Sequence, residues 1–294
     1  MANPAENNVK NESPAQENKM GVMPVGKLLF TMSLPIMISM LVQALYNVVD
    51  SMFVARVSEN ALTALSMAFP IQNLMIAVST GLGVGLNAVL SRALGAKDEK
   101  GVNRAATNGI MLLFICGLVF MLGGATIVRP YFEMQTDIAE IVESGVDYTT
   151  IVMLGSMGIF MQILFERLLQ STGRTLLTMV SQGVGAIANI ILDPIFIFGL
   201  FGVPKMGVAG AAYATILGQW IAAAIGLVMN IRKNPEVSIS MKGFRPHGAT
   251  IRRILSIGIP SVVMQSIGSV MTFLMNQILI AFSSTAVAVF GVYF

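Results

Sequence analysis

The stretch LLFTMSLPIMISMLVQALYNVV, residues 28–49, contains 22 consecutive residues without an Asp, Glu, Lys or Arg. A helix needs about 20 mostly apolar residues to cross the hydrocarbon core of a membrane, which is roughly 30 Å thick. The run therefore predicts a membrane-spanning helix, which ends beside an acidic residue, Asp50.

The rest of the chain repeats this pattern. Uncharged runs cover residues 60–91, 105–128, 148–165, 175–192, 206–231 and 254–294. The last run is too long for one span, and Ser283-Ser284-Thr285 offers a place for a turn. Only 11% of the 294 residues are charged, whereas soluble proteins average about 25%. We therefore predict an all-α membrane protein, a polytopic helix bundle with seven spanning helices and the start of an eighth.

The basic residues predict the orientation of the bundle. With the N-terminus in the cytoplasm, fifteen of the eighteen Lys and Arg residues fall in cytoplasmic segments and three outside. Cytoplasmic loops of membrane proteins carry an excess of Lys and Arg. The polar residues 1–26 are then predicted to be a disordered cytoplasmic tail.

A weak internal repeat appears when the chain is shifted by 225 residues. Lys27 then lies on Arg252, Pro35 on Pro260 and Ser58 on Ser283. Six helices separate the copies, so two parallel six-helix units are expected. We assign residues 27–231 to an N-lobe, 232–253 to a cytoplasmic linker, and 254–294 to the start of a C-lobe. This interpretation predicts that the chain is a fragment whose partner is the missing C-lobe of the same protein.

Asp193 is the strongest candidate for function, because ionisable groups at membrane depth are costly and usually functional. It follows an 18-residue uncharged run and precedes Pro194. Asn189 and Gln182 lie on the same helical face. The alternative is that Asp193 only caps a helix broken at the proline.

Asp50, near the start of the chain, is a second acidic residue with polar neighbours on one helical face. Tyr46, Asn47 and Gln43 share its helical face. Two carboxylates that face one cavity repel each other, and protonating one of them relieves the repulsion. The alternative is a surface aspartate at the outer end of the helix, since about 33 Å of helix separates it from residue 28.

The remaining candidate functional residues have weaker support from the sequence. Glu166 adjoins Arg167, so a local ion pair competes with a transport role. Gly81, Gly83 and Gly85 indicate close helix packing, since no phosphate-binding motif follows them. One cysteine, Cys116, and one histidine, His247, form no nucleophile–base pair or metal cluster. We therefore expect no enzyme activity, no metal cluster and no cofactor.

With these residues in place, the chain resembles the multidrug and toxic compound extrusion (MATE) family, and within it the MepA-like multidrug exporters. The resemblance covers residues 28–294. Its motifs are Leu34-Pro35, Leu45-Tyr46-Asn47-Val48-Val49-Asp50, Ser91-Arg92-Ala93-Leu94-Gly95-Ala96, Gln170-Ser171-Thr172-Gly173 and Asn189-Ile190-Ile191-Leu192-Asp193-Pro194.

The resemblance implies twelve helices in two lobes around a central cavity, and exchange of H⁺ or Na⁺ for drugs. It implies coupling through Asp50, Asn189 and Asp193, which could hold Na⁺, with Tyr46 nearby. It also implies a bacterial inner membrane, small-molecule drugs and membrane lipid as partners, and no nucleic acid. The alternative function is a lipid-linked saccharide flippase of related architecture. That activity would call for basic residues in the cavity, whereas the mid-membrane charges here are acidic.

Overall fold

The computed structural model of the protein describes residues 20, 23–124, 126–237 and 245–293. Most of the predicted tail, residues 1–19 and 21–22, lies outside the described residues, as do residues 238–244 of the predicted linker.

The described chain is built from α-helices with one short 3₁₀ turn and, within the described ranges, no strand, which confirms the predicted fold class. In chain order the helices are α1 (Val25–Ala55), α2 (Glu59–Gly95), α3 (Glu99–Gly124), α4 (Val128–Glu133), α5 (Ala139–Leu154), α6 (Met157–Ser171), α7 (Thr175–Phe198), α8 (Val208–Lys233), α9 (Gly248–Ile280) and α10 (Ser284–Tyr293). The 3₁₀ turn, Leu200–Gly202, follows α7.

Six of these helices (α1, α2, α3, α7, α8 and α9) are long and apolar enough to cross a membrane. The predicted fourth span is two helices, α5 and α6, which meet at an angle of 46°. At the bend the buried Ser156 hydroxyl donates to the backbone oxygen of Gly117 in α3, at 3.0 Å. Gly155 faces Ile216 of α8 with no room for a Cβ. Contacts with two other helices therefore hold the break in place, and counting the bent pair as one span gives the seven spans predicted.

The first helix, α1, lies on the outside of the bundle and packs chiefly on α7. Large apolar side chains cover its outer face, including Phe30, Met37 and Leu41. Its buried residues are Pro35, Ser39, Asp50, Ser51 and Val54. An apolar exterior with a small polar buried face is what a helix between lipid and a protein cavity requires.

The second helix, α2, is the core of the molecule, and α9 packs along it. Glycines make this contact close. A Cβ at Gly85 would collide with the backbone oxygen of Ile254, and one at Gly258 would come within 3.3 Å of the backbone oxygen of Gly81. Gly81 and Gly85 therefore serve helix packing, as predicted, while Gly83 faces Arg167 of α6.

Hydrogen bonds tie the helix ends together on both sides of the bundle. On one side the backbone N–H of His247 donates to Asn108 Oδ1 at 3.0 Å, and Asn234 donates to the backbone oxygen of Leu168 at 3.2 Å. On the other side Asn60 donates to Glu140 Oε2 at 2.6 Å. We call the side of the bundle that holds His247 and Asn234 the basic end. It also carries Arg92, Lys97, Lys100, Arg104, Arg174, Arg232, Lys233, Arg252 and Arg253.

Candidate functional site

Asp50 lies in the last third of α1, on the face that turns toward the bundle. Its side chain is buried, with the residue 6% exposed. Its Oδ1 atom has no hydrogen-bond partner among the described residues. The helix continues past it to Ala55. The alternative of a surface aspartate at the helix end therefore does not describe this residue.

Asn189 and Asp193 lie one turn apart in α7, and both are buried. The Nδ2 atom of Asn189 is 3.5 Å from Asp193 Oδ1 and 3.5 Å from the hydroxyl oxygen of Thr215 in α8. Since α7 runs through Pro194 to Phe198, Asp193 does not cap a helix broken at the proline.

Packing of α1 against α7 brings the two predicted polar faces together. Gln182 of α7 donates weakly to Gln43 Oε1 of α1 at 3.4 Å. Asp193 and Asp50 are both buried on these two packed helices. A gap of about 30 Å³ lies between α1, α7 and α8, lined by Tyr46, Asn189 and Thr215 among others. That space is sufficient for one water molecule or ion.

We call Asp50, Asn189, Asp193 and Thr215 the aspartate site. Three of its buried oxygens, Asp50 Oδ1, Asn189 Oδ1 and Asp193 Oδ2, have no hydrogen-bond partner among the described residues. Buried acceptors without a donor are costly. Each of these oxygens can therefore still accept a hydrogen bond or coordinate a cation.

A cavity of about 500 Å³ opens beside the aspartate site, and we call it the large cavity. Asp50, Tyr46 and Thr215 lie in its wall, and so does Asn47, whose side chain is exposed to it. Drug-sized ligands occupy cavities of about 300–1,000 Å³. Asp50 is the only charged residue among the described residues that line it, so its walls favour a cation over an anion.

Glu166 lies apart from the aspartates, in a second cavity of about 220 Å³ between α1, α6 and α7. Its Oε1 atom accepts a hydrogen bond from Gln162 at 2.9 Å, while Arg167 donates to Gln170 at 2.8 Å. No ion pair between Glu166 and Arg167 forms within 4.0 Å. Gln43, Tyr46 and Gln182 line this cavity as well, so the predicted polar residues connect it with the aspartate site.

Several polar residues of the cavity come from other helices and were not predicted from the sequence. Thr215 and Gln219 come from α8, Gln72 from α2 and Tyr148 from α5, and all four line the large cavity. Gln72 donates to the Tyr148 hydroxyl at 2.7 Å. Thr215 and Gln219 are four residues apart in an uncharged run, and this spacing is the signal that could have found them.

The chemistry of the donors limits what the site can bind. Among the described residues no three His, Cys, Asp or Glu side chains come together in a way that could hold a metal ion. The aspartate site offers two carboxylates, an amide oxygen and a hydroxyl instead. Oxygen donors of this kind suit a proton or a hard cation such as Na⁺.

Comparison with known proteins places this arrangement in a family. The family model MatE matches residues 35–195. The probable multidrug resistance protein NorM of Thermotoga maritima is 28% identical over 284 residues, 95% of this chain and 59% of the relative. The multidrug export protein MepA of Staphylococcus haemolyticus is 28% identical over 273 residues, again 59% of the relative. The chain thus spans about 59% of the length of these relatives.

Solved structures of transporters also match the fold of this chain. The inward-facing structure of a multidrug resistance MATE family transporter matches with a TM-score of 0.81 and 30% identity, over 90% of this chain and 60% of that one. A MOP superfamily transporter from Pyrococcus furiosus matches with a TM-score of 0.76 over 81% of this chain and 52% of that one. The buried aspartate site lies within the residues that the family model matches, apart from Thr215. The chain belongs to the MatE family.

Proposed function

We propose that this chain carries the ion-coupling half of a secondary antiporter, which exports drugs in exchange for H⁺ or Na⁺. The observation that supports the proposal is the aspartate site. It places two buried carboxylates on helices that pack together, each with an oxygen that no donor satisfies among the described residues, and one of them, Asp50, lies in the wall of a cavity of drug size. Binding an ion there would change the charge of the cavity wall, which is the link that coupled exchange requires.

The proposed cargo is an organic cation. The large cavity combines apolar residues such as Phe69 and Met75 with polar ones such as Gln72 and Asn73. Apolar walls with a few polar groups suit drug-like molecules. A carboxylate without a neighbouring Lys or Arg would attract a positive charge, and protonating that carboxylate would release it. A flippase for a pyrophosphate lipid would need basic residues in the wall of the large cavity, whereas the one charged residue among its described lining residues is the acidic Asp50.

The proposed setting is a bacterial cell membrane with the basic end in the cytoplasm, in accordance with the positive-inside rule. Alternating access requires two units that move against each other around a site near the midplane. We propose that α1 to α8 form one unit and that α9 and α10 belong to the second. Transport would then also need the remaining helices of that second unit.

The experiment is reconstitution in liposomes, with Staphylococcus aureus MepA as a positive control for the assay. A fluorescent organic cation is supplied, and a proton gradient and a sodium gradient are imposed separately. Because transport needs both units, we expect this chain alone to accumulate none of the cation, and accumulation would contradict the two-unit mechanism. The 294-residue protein is also titrated with the cation in detergent. Its one tryptophan, Trp220, adjoins Gln219 of the large cavity, and its fluorescence reports binding. Ion-sensitive binding of the cation supports the proposal. Binding that neither pH nor Na⁺ alters would contradict the coupling role.

A further inference from the structure

A pocket of about 580 Å³ lies at the basic end, where the C-terminal end of α2 meets the N-terminal ends of α3 and α9. It is separate from the large cavity and shares no lining residue with it. Three arginines from three helices line it: Arg92 of α2, Arg104 of α3 and Arg253 of α9. We call it the basic pocket.

The charges of the basic pocket are not balanced by the protein. All three arginines are exposed, and none makes an ion pair within 4.0 Å in the part of the chain that the structure describes. Asp98 is the one acidic residue in the lining, and its Oδ1 already accepts a hydrogen bond from the Gly101 N–H at 2.9 Å. Three guanidinium groups and one carboxylate leave a formal charge of +2.

The wall of the basic pocket is held in place by a contact between two helices. The backbone N–H of His247 donates to Asn108 of α3, and its ring Nδ1 lies 2.8 Å from the Thr250 hydroxyl. The start of α9 is thereby fixed against α3. Arg104 and Arg253 consequently face one space although 149 positions separate them in the sequence.

The pocket also has an apolar side. Val89 of α2 and Ile257 of α9 line it, and Ile257 is 40% exposed. Both residues lie one turn or more inside the helix ends, on the side toward the membrane-spanning part of the bundle. A site with arginines at the helix ends and an apolar wall beyond them matches a molecule with an anionic head and a hydrocarbon tail.

We propose that the basic pocket binds the phosphate headgroup of an anionic phospholipid. Guanidinium groups bind phosphate oxygens in pairs, with more directional hydrogen bonds than lysine provides. Basic pockets between membrane helices on the cytoplasmic side are suited to anionic headgroups. The first acyl carbons would lie along Val89 and Ile257. The lipid would therefore bridge α2 and α3 of the first helical unit to α9.

The test uses the 294-residue protein, purified and mixed with defined lipids. Native mass spectrometry counts the phosphatidylglycerol and phosphatidylcholine molecules that the protein retains. The pocket variant is R104Q/R253Q. The control is R232Q/K233Q, which removes the same charge from exposed residues at the basic end outside the pocket. Circular dichroism and thermal unfolding establish that both variants are folded.

Each basic residue near an anionic lipid surface contributes about 1 kcal/mol, so losing two corresponds to roughly 30-fold weaker binding. We expect this loss of phosphatidylglycerol in R104Q/R253Q, little change in R232Q/K233Q, and weak phosphatidylcholine binding throughout. Equal losses in both variants would overturn the proposal, because they would show general attraction to the basic end. Retention of inorganic phosphate with no retained phosphatidylglycerol would also overturn it, in favour of a free-phosphate site.

Discussion

Asn189 and Asp193 lie one turn apart in α7, and the amide nitrogen of Asn189 is equidistant, at 3.5 Å, from Asp193 Oδ1 and from Thr215 Oγ1 of the neighbouring helix. Both contacts are at the long limit of a hydrogen bond. The amide thus leaves Asp193 incompletely satisfied, with its Oδ2 free of any partner in the described structure. A site in this state can take up an ion without first breaking a strong bond.

Asp193→Asn is expected to remove the dependence of cation binding on H⁺ or Na⁺ while leaving the fold intact. The substitution keeps the size of the side chain but removes the charge that we propose binds H⁺ or Na⁺. Hydrogen bonds to a charged group contribute about 1.5–3 kcal/mol, so ion binding should weaken by at least about tenfold. The measurement is the ion dependence of Trp220 fluorescence during titration with a cationic dye.

The matched control for this change is Asp137→Asn, in the exposed loop between α4 and α5. It alters the same atoms away from the aspartate site and should leave the titration unchanged. An Asp193→Asn protein that still responds to pH and Na⁺ like the wild type would remove this residue from the coupling role.

Asp50 and Asp193 should behave as one unit, because both carboxylates are buried on helices that pack against each other, α1 and α7. Asp50→Asn, Asp193→Asn and the double variant form a double-mutant cycle. Residues that share one network show interaction energies of about 0.5–3 kcal/mol, so we expect ion-binding effects that do not add. Additive effects within about 0.5 kcal/mol would mean that the two aspartates act separately.

Thr215→Val tests a residue that the sequence analysis did not identify. Valine keeps the shape of threonine but removes the hydroxyl that faces Asn189, so ion binding should weaken by about 1 kcal/mol, or roughly fivefold. The control is Thr149→Val in α5, where the buried hydroxyl has no hydrogen-bond partner among the described residues. That change should leave ion binding intact and preserve or raise the unfolding temperature. Indistinguishable titrations for the two variants would exclude Thr215 from the site.

Gly85→Ala should destabilise the packing of α9 on α2, since the new Cβ would meet the backbone oxygen of Ile254 and lie 2.9 Å from the backbone nitrogen of Gly258. Overpacking of this kind costs about 1–3 kcal/mol. Gly183→Ala in the middle of α7 is the control, because nothing lies within 4 Å of its added Cβ. It should stabilise the helix by about 0.5–1 kcal/mol. Thermal unfolding in detergent measures both, and equal melting temperatures would contradict the close contact.

The polar faces of α1 and α7 could be predicted from the sequence because helical periodicity alone places their residues. Gln43, Tyr46 and Asp50 share one face at spacings of three and four residues, as do Asn189 and Asp193. The uncharged runs likewise predicted the spans, since the thickness of a membrane sets a minimum length for a helix that crosses it.

The break in the fourth span was not predicted from the hydrophobic pattern of the sequence. Residues 148–165 read as one continuous apolar run, yet the helix ends at Leu154 and restarts at Met157. The causes are contacts to Gly117 of α3 and Ile216 of α8, which lie far away in the sequence. A local pattern cannot report a bend that other helices impose.

By itself the sequence determined the all-helical membrane fold, the number of spans and the polar faces of α1 and α7, because each follows from local composition and the geometry of a single helix. The packing of the helices, by contrast, determines that Asp50 and Asp193 are buried on neighbouring helices, that Thr215 lies beside Asn189, and that three arginines from α2, α3 and α9 share one pocket. These are relations between helices. They depend on which side of each helix packs against its neighbours, and that is settled by the shapes of all the helices together.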